Sequence, residues 1–198
     1  MGALGPEHEF SIVDEQLKPL SISSQIIKAC AGQIVDIVYF QKFAFGREAA
    51  LHQIEIKTVE PFKSPEKFEA TMHYAVLTIL DLLREKFNAQ LLGTGMHPTL
   101  RPEETTIWPH TCQDIYNEYD KLFNLHSHGW RNIQSFQLNL PYYNEQWAVA
   151  IYNALAHLCS YLPAISASSP IIESQLSPNI DSRLYHYKMK TKEIPSIA

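Results

Sequence analysis

The chain has little of what marks the more specialised classes of protein. Its three cysteines, Cys30, Cys112 and Cys159, are odd in number and widely spaced, which argues against a disulfide framework and fits buried thiols in a reducing compartment. Basic charge is not in excess: 16 Lys and Arg stand against 21 Asp and Glu, a net charge of -5. No basic cluster is present to neutralise nucleic-acid phosphates, so no nucleic-acid partner is expected. No apolar run reaches the length of a membrane span, and the start of the chain lacks a basic segment followed by an apolar one. No membrane partner and no export are expected, and cytoplasm is the expected location. Met1-Gly2 looks like the start of an acylation signal, but Pro6 stands where that signal wants Ser or Thr. Walker and Rossmann fingerprints are absent, as are internal repeats, low-complexity tracts and linkers. With 45% hydrophobic and 19% charged residues, disorder has no compositional basis; residues 1–198 can be one domain or part of a larger one, and are enough to bury a sizeable core.

Against that background one stretch stands out. Gly5-Pro6-Glu7-His8-Glu9-Phe10 places two carboxylates two residues apart inside an apolar run from Leu4 to Val13. Side chains alternate along a strand, so Glu7 and Glu9 share a face and repel each other. A divalent cation removes that repulsion, and Mg²⁺ in phosphate-handling sites is held by a few carboxylates plus phosphate oxygens. The plainer reading is a solvated strand face carrying two acids.

Further along, residues 25–31 read as a short helix capped by Ser23 or Ser24 and stopped by Gly32. The β-branched and aromatic run 33–40 reads as a strand. Residues 51–58 alternate, with Gln53, Glu55 and Lys57 on one face and Ile54 and Ile56 on the other, which adds a third carboxylate at a strand centre. Ser64-Pro65-Glu66 opens a helix to about residue 87 whose core stripe is Phe68, Met72, Val76, Ile79, Leu80, Leu83 and Phe87. A strand over 89–92 runs into Gly93-Thr94-Gly95-Met96-His97-Pro98, a tight turn able to bring backbone N–H groups near an anion. Residues 99–110 read as a loop. Residues 112–123 read as a helix with Ile115, Tyr119, Leu122 and Phe123 on its apolar side. His126 and His128, with His110 and Cys112 nearby, have a spacing that could hold zinc, but no Cys-x-x-Cys pair supports it.

The strand 132–140 puts Ser135, Gln137 and Asn139 in a row, as the wall of a site or an exposed face would. A helix from Asn144-Glu145 through Leu162 is ended or kinked by Pro163. Ser166-Ala-Ser-Ser-Pro170 is a small-residue turn able to approach a ligand. Arg183, among aromatic residues, is either stacked and structural or a clamp for phosphate or carboxylate. The chain stops over 194–198 without a closing element.

Seven stretches in order, Gly5-Pro-Glu-His-Glu-Phe10, Gln53-Ile-Glu-Ile-Lys-Thr58, Gly93-Thr-Gly-Met-His-Pro98, Gln134-Ser-Phe-Gln-Leu-Asn-Leu140, Tyr152-Asn-Ala-Leu155, Ser166-Ala-Ser-Ser-Pro170 and Ser182-Arg183, together resemble the type 2 glutamate-cysteine ligases, or carboxylate-amine ligases, of the glutamine synthetase-like superfamily. The resemblance runs from residue 5 to about 187. It implies an α+β fold: a curved antiparallel sheet with helices packed on one face and the active site on its concave face. It implies ATP with Mg²⁺, or Mn²⁺, used to phosphorylate a carboxylate such as the γ-carboxylate of glutamate, and an amine, cysteine or another, that displaces the phosphate. Residue by residue it implies metal binding by Glu7, Glu9 and Glu55, catalytic roles for Arg183 and Gln137, and substrate or nucleotide contacts from His97, Lys57, Ser135 and Asn139. Gln137 stands where many members have histidine, a departure shared with plant-like members.

Family domains are about twice this length, so the chain resembles the N-terminal portion of such a domain. It is then a fragment, a natural truncation that pairs with another chain, or a non-catalytic homologue serving as a binding or assembly subunit. A half-sheet exposes an edge and an apolar face, which predicts a homo-oligomer or poor solubility.

Overall fold

The alternation read from the first strand is the organising fact of the sheet. A computed structural model describes residues 3–190; the Met1-Gly2 pair and the 194–198 terminus lie outside the described residues. Strand β1 (Gly5–Val13) runs through an open six-stranded antiparallel sheet. Along one edge it pairs with β4 (Gln53–Thr58), with Glu9 opposite Glu55 and Phe10 opposite Ile54. β4 pairs with β3 (Phe43–Arg47), and β3 with β2 (Ile37–Tyr39). Along the other edge two strands share β1: β6 (Phe136–Asn139) takes Gly5 to His8, and β5 (Gln90–Leu92) takes Ser11 to Val13.

This register sorts the sheet into two chemically different faces. Phe10, Ile12, Phe43, Phe45, Ile54 and Ile56 are buried on one side against α1 (Ser23–Ala31) and α2 (Pro65–Phe87), which contribute Ile26, Ile27, Met72, Ala75, Ile79 and Leu83. Each of these side chains except Ala75 adds about 1.5–3 kcal/mol by leaving water. The opposite face carries Glu7, Glu9, Glu55, Lys57, Gln137 and Asn139, opened up by the small residues Ala44 and Gly46 opposite Lys57 and Glu55. The expected α+β class with an antiparallel sheet is what the chain adopts.

Helix α2 begins where its cap chemistry predicts. The Ser64 Oγ accepts from the Lys67 N–H at 3.5 Å, Pro65 fills the first turn, and Asn88 closes the helix in the left-handed region at φ 49°. Helix α1 differs: its cap position is Ile22, with no side-chain cap, and Ser23 lies buried inside the helix, its backbone N–H bonded to Leu51 O.

Other boundaries move for local reasons. The strand expected over 33–40 shrinks to β2. β3, which was not expected, forms on the alternation of Phe43 and Phe45 into the core. The strand expected over 132–140 shrinks to β6 because the residues before it are used otherwise: Asn132 clamps the His97 backbone at 2.8 and 3.0 Å, and the Gln134 N–H bonds Gly95 O.

Helix α3 (Gln113–Phe123) buries nothing: Ile115, Tyr119 and Leu122 are exposed, and it is Tyr116 that packs against the core. After α4 (His128–Arg131), the helix expected through Leu162 splits into α5 (Glu145–Leu158) and α6 (Leu162–Ser166), with Pro163 in the first turn of the latter. A two-stranded hairpin, β7 (Ile171–Ile172) and β8 (Gln175–Leu176), leads to α7 (Ser182–Lys190). All three cysteines are free, but the expectation of burial fails: Cys112 and Cys159 are exposed, because they sit at the ends of α3 and α5, helices with no buried residue. No helix among the described residues is long and apolar enough to cross a membrane.

Candidate metal centre

Three carboxylates converge on the polar face. Glu9 and Glu55 face each other across the β1–β4 ladder. Glu48 comes from the turn leaving β3, whose backbone is pinned by Trp108 N–H to Ala49 O at 2.8 Å and Leu51 N–H to Thr106 O at 2.9 Å. One oxygen from each of the three lies within 4.8 Å of the others, and this is the only such group of three His, Cys, Asp or Glu side chains among the described residues.

Burial and the crowding of like charge act together on these carboxyls. Burial, then the charges of Glu9 and Glu55, push the Glu48 carboxyl up to about 8, against the opposing bond from the Ala49 N–H and the charge of Arg47. Burial also raises Glu55; its bond to Lys57 opposes this, and the neighbouring Glu7 reinforces it. Near neutral pH the cluster therefore holds a proton in place of the charge a cation would balance. An all-oxygen set of three carboxylates suits a hard cation such as Mg²⁺ or Mn²⁺ better than zinc, which favours Cys and His.

The surrounding residues fix the acids in orientation. Glu9 accepts from the Ser135 N–H at 2.9 Å, the Ser135 hydroxyl at 2.6 Å and the Gln137 side-chain amide at 2.9 Å. With three donors on two oxygens, its carboxylate is held in one pose. Asn139 donates to Glu7 at 3.1 Å and to Gly5 O at 3.1 Å. Lys57 donates to Glu55. Although burial works against its charge, that bond and the charges of Glu55, Glu7 and Glu48 raise the Lys57 ammonium above its ordinary range.

Residues 3–197 match the model of glutamate-cysteine ligase family 2. The chain belongs to that family. It is also 43% identical over 194 residues to an uncharacterized protein of Archaeoglobus fulgidus, a match that covers 98% of this chain and 52% of that protein. The chain thus spans about half the length of the curated relative it matches.

In this family 2 chain Glu9 and Glu48 border a cavity of about 520 Å³, lined also by Gln53, Ser135, Asp181 and Arg183. A second cavity of about 470 Å³ shares Glu9, Ser135 and Arg183 and reaches the Gly93-Thr94-Gly95 turn. Volumes of this size suit a small ligand. Arg183 stands in the wall common to both, and three of its five N–H groups are committed, to Asp181 at 3.1 Å, Gln134 O at 3.2 Å and Ser166 O at 2.6 Å. Gly95 explains itself here: a β-carbon on it would lie 2.6 Å from Arg183 Nε and from Ser168 Oγ.

Not every residue expected at the site arrives there. The fold gathers Glu7, Glu9, Glu55, Lys57, Ser135, Gln137 and Asn139 on one face, with Arg183 at its border. Glu7 lies beside Glu55 but outside the close trio, its place taken by Glu48. His97 is fully buried in its own turn, where Nδ1 accepts the N–H of Leu100 at 3.1 Å and of Thr99 at 3.3 Å. It lines neither cavity, so its work is to shape the turn. The zinc ligands considered from spacing are dispersed as well: His128 bonds Glu173 at 3.0 Å, His126 faces Asp120, His110 packs on Trp108, and Cys112 lies 3.6 Å from an Arg47 nitrogen. Glu48 was missed because it sits in a turn with no periodicity to single it out.

Proposed function

We propose that this chain takes part in ATP-dependent ligation of a carboxylate to an amine: the γ-carboxylate of glutamate is phosphorylated, and cysteine or another amine displaces phosphate from the acyl phosphate to form a γ-glutamyl amide. The observation that carries this reading is the trio Glu9, Glu48 and Glu55 on the polar face of a family 2 sheet.

In this reading the trio, with Glu7 beside it, holds Mg²⁺ or Mn²⁺. A cation held there would supply the positive charge that screens the phosphate oxygens of ATP. Ser135 and Gln137 keep Glu9 aimed by their hydrogen bonds, so little reorganisation is needed when a cation binds. Lys57 offsets the charge of Glu55 and keeps a cationic group beside the trio. Arg183 serves from the cavity wall: its Asp181, Gln134 and Ser166 bonds hold the guanidinium rigid, and its remaining two N–H groups are available to a phosphoryl or carboxylate oxygen. Asn139 fixes Glu7 against β1.

The test is phosphate release from Mg·ATP with glutamate and a panel of amines that includes cysteine. Release that requires both glutamate and an amine is expected, and Glu9→Gln or Glu48→Gln should remove it. Normal ATP binding with no release above background would sink the catalytic reading. The exposed apolar residues of α5 favour a second reading, a non-catalytic binding or assembly subunit, which requires weak or no Mg·ATP binding together with self-association.

A further inference from the structure

The metal centre and its cavities make no direct use of His128, yet this side chain is tied at both ring nitrogens. It opens α4, and only 9% of the residue is exposed. Its Nε2 lies 3.0 Å from Glu173 Oε1, and its Nδ1 lies 3.2 Å from Asn132 Nδ2. These two contacts decide where the ring proton sits. Asn132 accepts the His97 N–H on Oδ1 at 2.8 Å and donates from Nδ2 to His97 O at 3.0 Å, so turning its amide round would lose both bonds. The group facing Nδ1 is therefore a donor. Nδ1 accepts, and the proton is on Nε2, where it is donated to the Glu173 carboxylate.

The same contacts join distant parts of the chain. Glu173 and Ser174 form the tip between β7 and β8, with φ of 46° and 65°. Both lie in the left-handed region, which favours Gly or Asn, and the tip is held on each side. Glu173 is held by His128, and Ser174 by its N–H on Pro98 O at 2.9 Å. Asn132, fully buried, clamps His97 within the 93–98 turn. That turn carries Gly93, Thr94 and Gly95 into the wall of the second cavity. Gly95 is bonded in turn to two further residues of that wall, its N–H to Ser168 O at 3.1 Å and its carbonyl to the Gln134 N–H at 3.0 Å.

A second proton on His128 has one place to go, Nδ1, where its N–H meets the Asn132 donor in a place closed to solvent. The titratable groups that face the ring are Glu173 from the hairpin and His186 from α7, whose ring centroid is 5.0 Å away. Burial, then His128, lower the His186 imidazole against the charge of Glu173, so the second ring stays uncharged while the first takes up a proton. Glu173 keeps the charged His128 ring where it is. The Asn132 amide is then what gives way: turned round, it offers Oδ1 to Nδ1–H, and both of its bonds to His97 are lost. We propose that His128 is a proton-sensitive latch on the cavity wall: with its proton on Nε2 alone it holds Asn132 against His97, and when doubly protonated it frees the 93–98 turn. His128 is a positioning residue that acts through Asn132. The latch works in the free chain and needs no ligation step.

The test is NMR on the full chain without nucleotide or metal. Long-range nitrogen–proton couplings of the His128 ring should place its proton on Nε2 at neutral pH. As the pH is lowered and the ring charges, protection of the His97 and Gly95 amides against hydrogen exchange, taken relative to the intrinsic rate at each pH, should fall by about tenfold or more, while the amides of β4 keep theirs. His128→Asn sets an oxygen near the place of Nδ1 and does not titrate, so protection of the turn should persist into acid. His128→Leu offers no acceptor and should lose that protection at every pH. A ring proton on Nδ1 at neutral pH overturns the proposal, as does a loss spread through the whole sheet. An acid loss that His128→Asn leaves unchanged assigns the effect to His97 or His52, the buried imidazoles beside the turn, and overturns it equally. Should His128→Leu fail to fold, the ring tautomer and the Asn variant decide.

Discussion

Glu48 shows how much a single side chain can depend on its neighbours' charge. Its carboxyl, ordinarily near 4.5, is raised to about 8 by burial and by Glu9 and Glu55. A carboxyl raised in the folded state binds its proton more tightly there than in the unfolded chain. The stability this adds is complete below pH 4.5 and is lost as pH rises through about 8. The melting temperature without divalent cations is therefore expected to fall across that window, and Glu48→Gln to flatten the fall, as thermal scans at several pH values would reveal. Cation uptake near neutral pH should also release about one proton, read by calorimetry in buffers of different ionisation enthalpy. Glu7, Glu9 and Glu55 were legible in the sequence because strand alternation displays them. Glu48 was not, because what places it is a turn pinned through Ala49 to Trp108, a residue far along the chain.

Among the elements, α2 and β4 were read almost to the residue, since a capped start and strict alternation leave few alternatives. Ile56 lies at the centre of β4 with no exposed surface, and Ile56→Ala should destabilise the chain by about 2–5 kcal/mol in denaturant titration. The short strands were harder to read. β3 spans five residues and ends in Gly46-Arg47, too brief for a pattern to separate from a loop, and β6 is cut short by side chains that serve other partners. The turn at Gly95 makes a separate prediction. Gly95→Ala forces a β-carbon against Arg183 and Ser168, so the wall between the two cavities should shift. Nucleotide affinity is expected to fall several-fold in equilibrium binding, by about 1 kcal/mol, with far-UV circular dichroism unchanged.

At the level of the whole molecule, the sheet's two-sidedness followed from the alternation, and the fold class and family membership from the ordered motifs. What one sequence did not display was the exposure of α3 and α5: an apolar stripe looks the same whether its cover is present or missing. The trio should behave as a stabilising centre for the entire chain. At a hundred times its dissociation constant, Mg²⁺ is expected to add about 2.7 kcal/mol, which for a domain of this size raises the melting temperature by about 5–10 °C. Glu9→Gln combined with Glu48→Gln should abolish that rise in differential scanning calorimetry, and retention of the rise would place the cation elsewhere.

β1 belongs to the core on one side and to the acids on the other, with three neighbouring strands reading their register from it. A slip of one residue would turn Phe10 and Ile12 into solvent and drive Glu7 and Glu9 beneath α1 and α2, where neither has a partner. The acids thus act as a proofreading device during folding: the residues that prepare the chain for a cation also make its commonest pairing error intolerable. Neutralising both Glu7 and Glu9 should consequently lower the yield of correctly paired sheet on refolding, even where no cation is supplied.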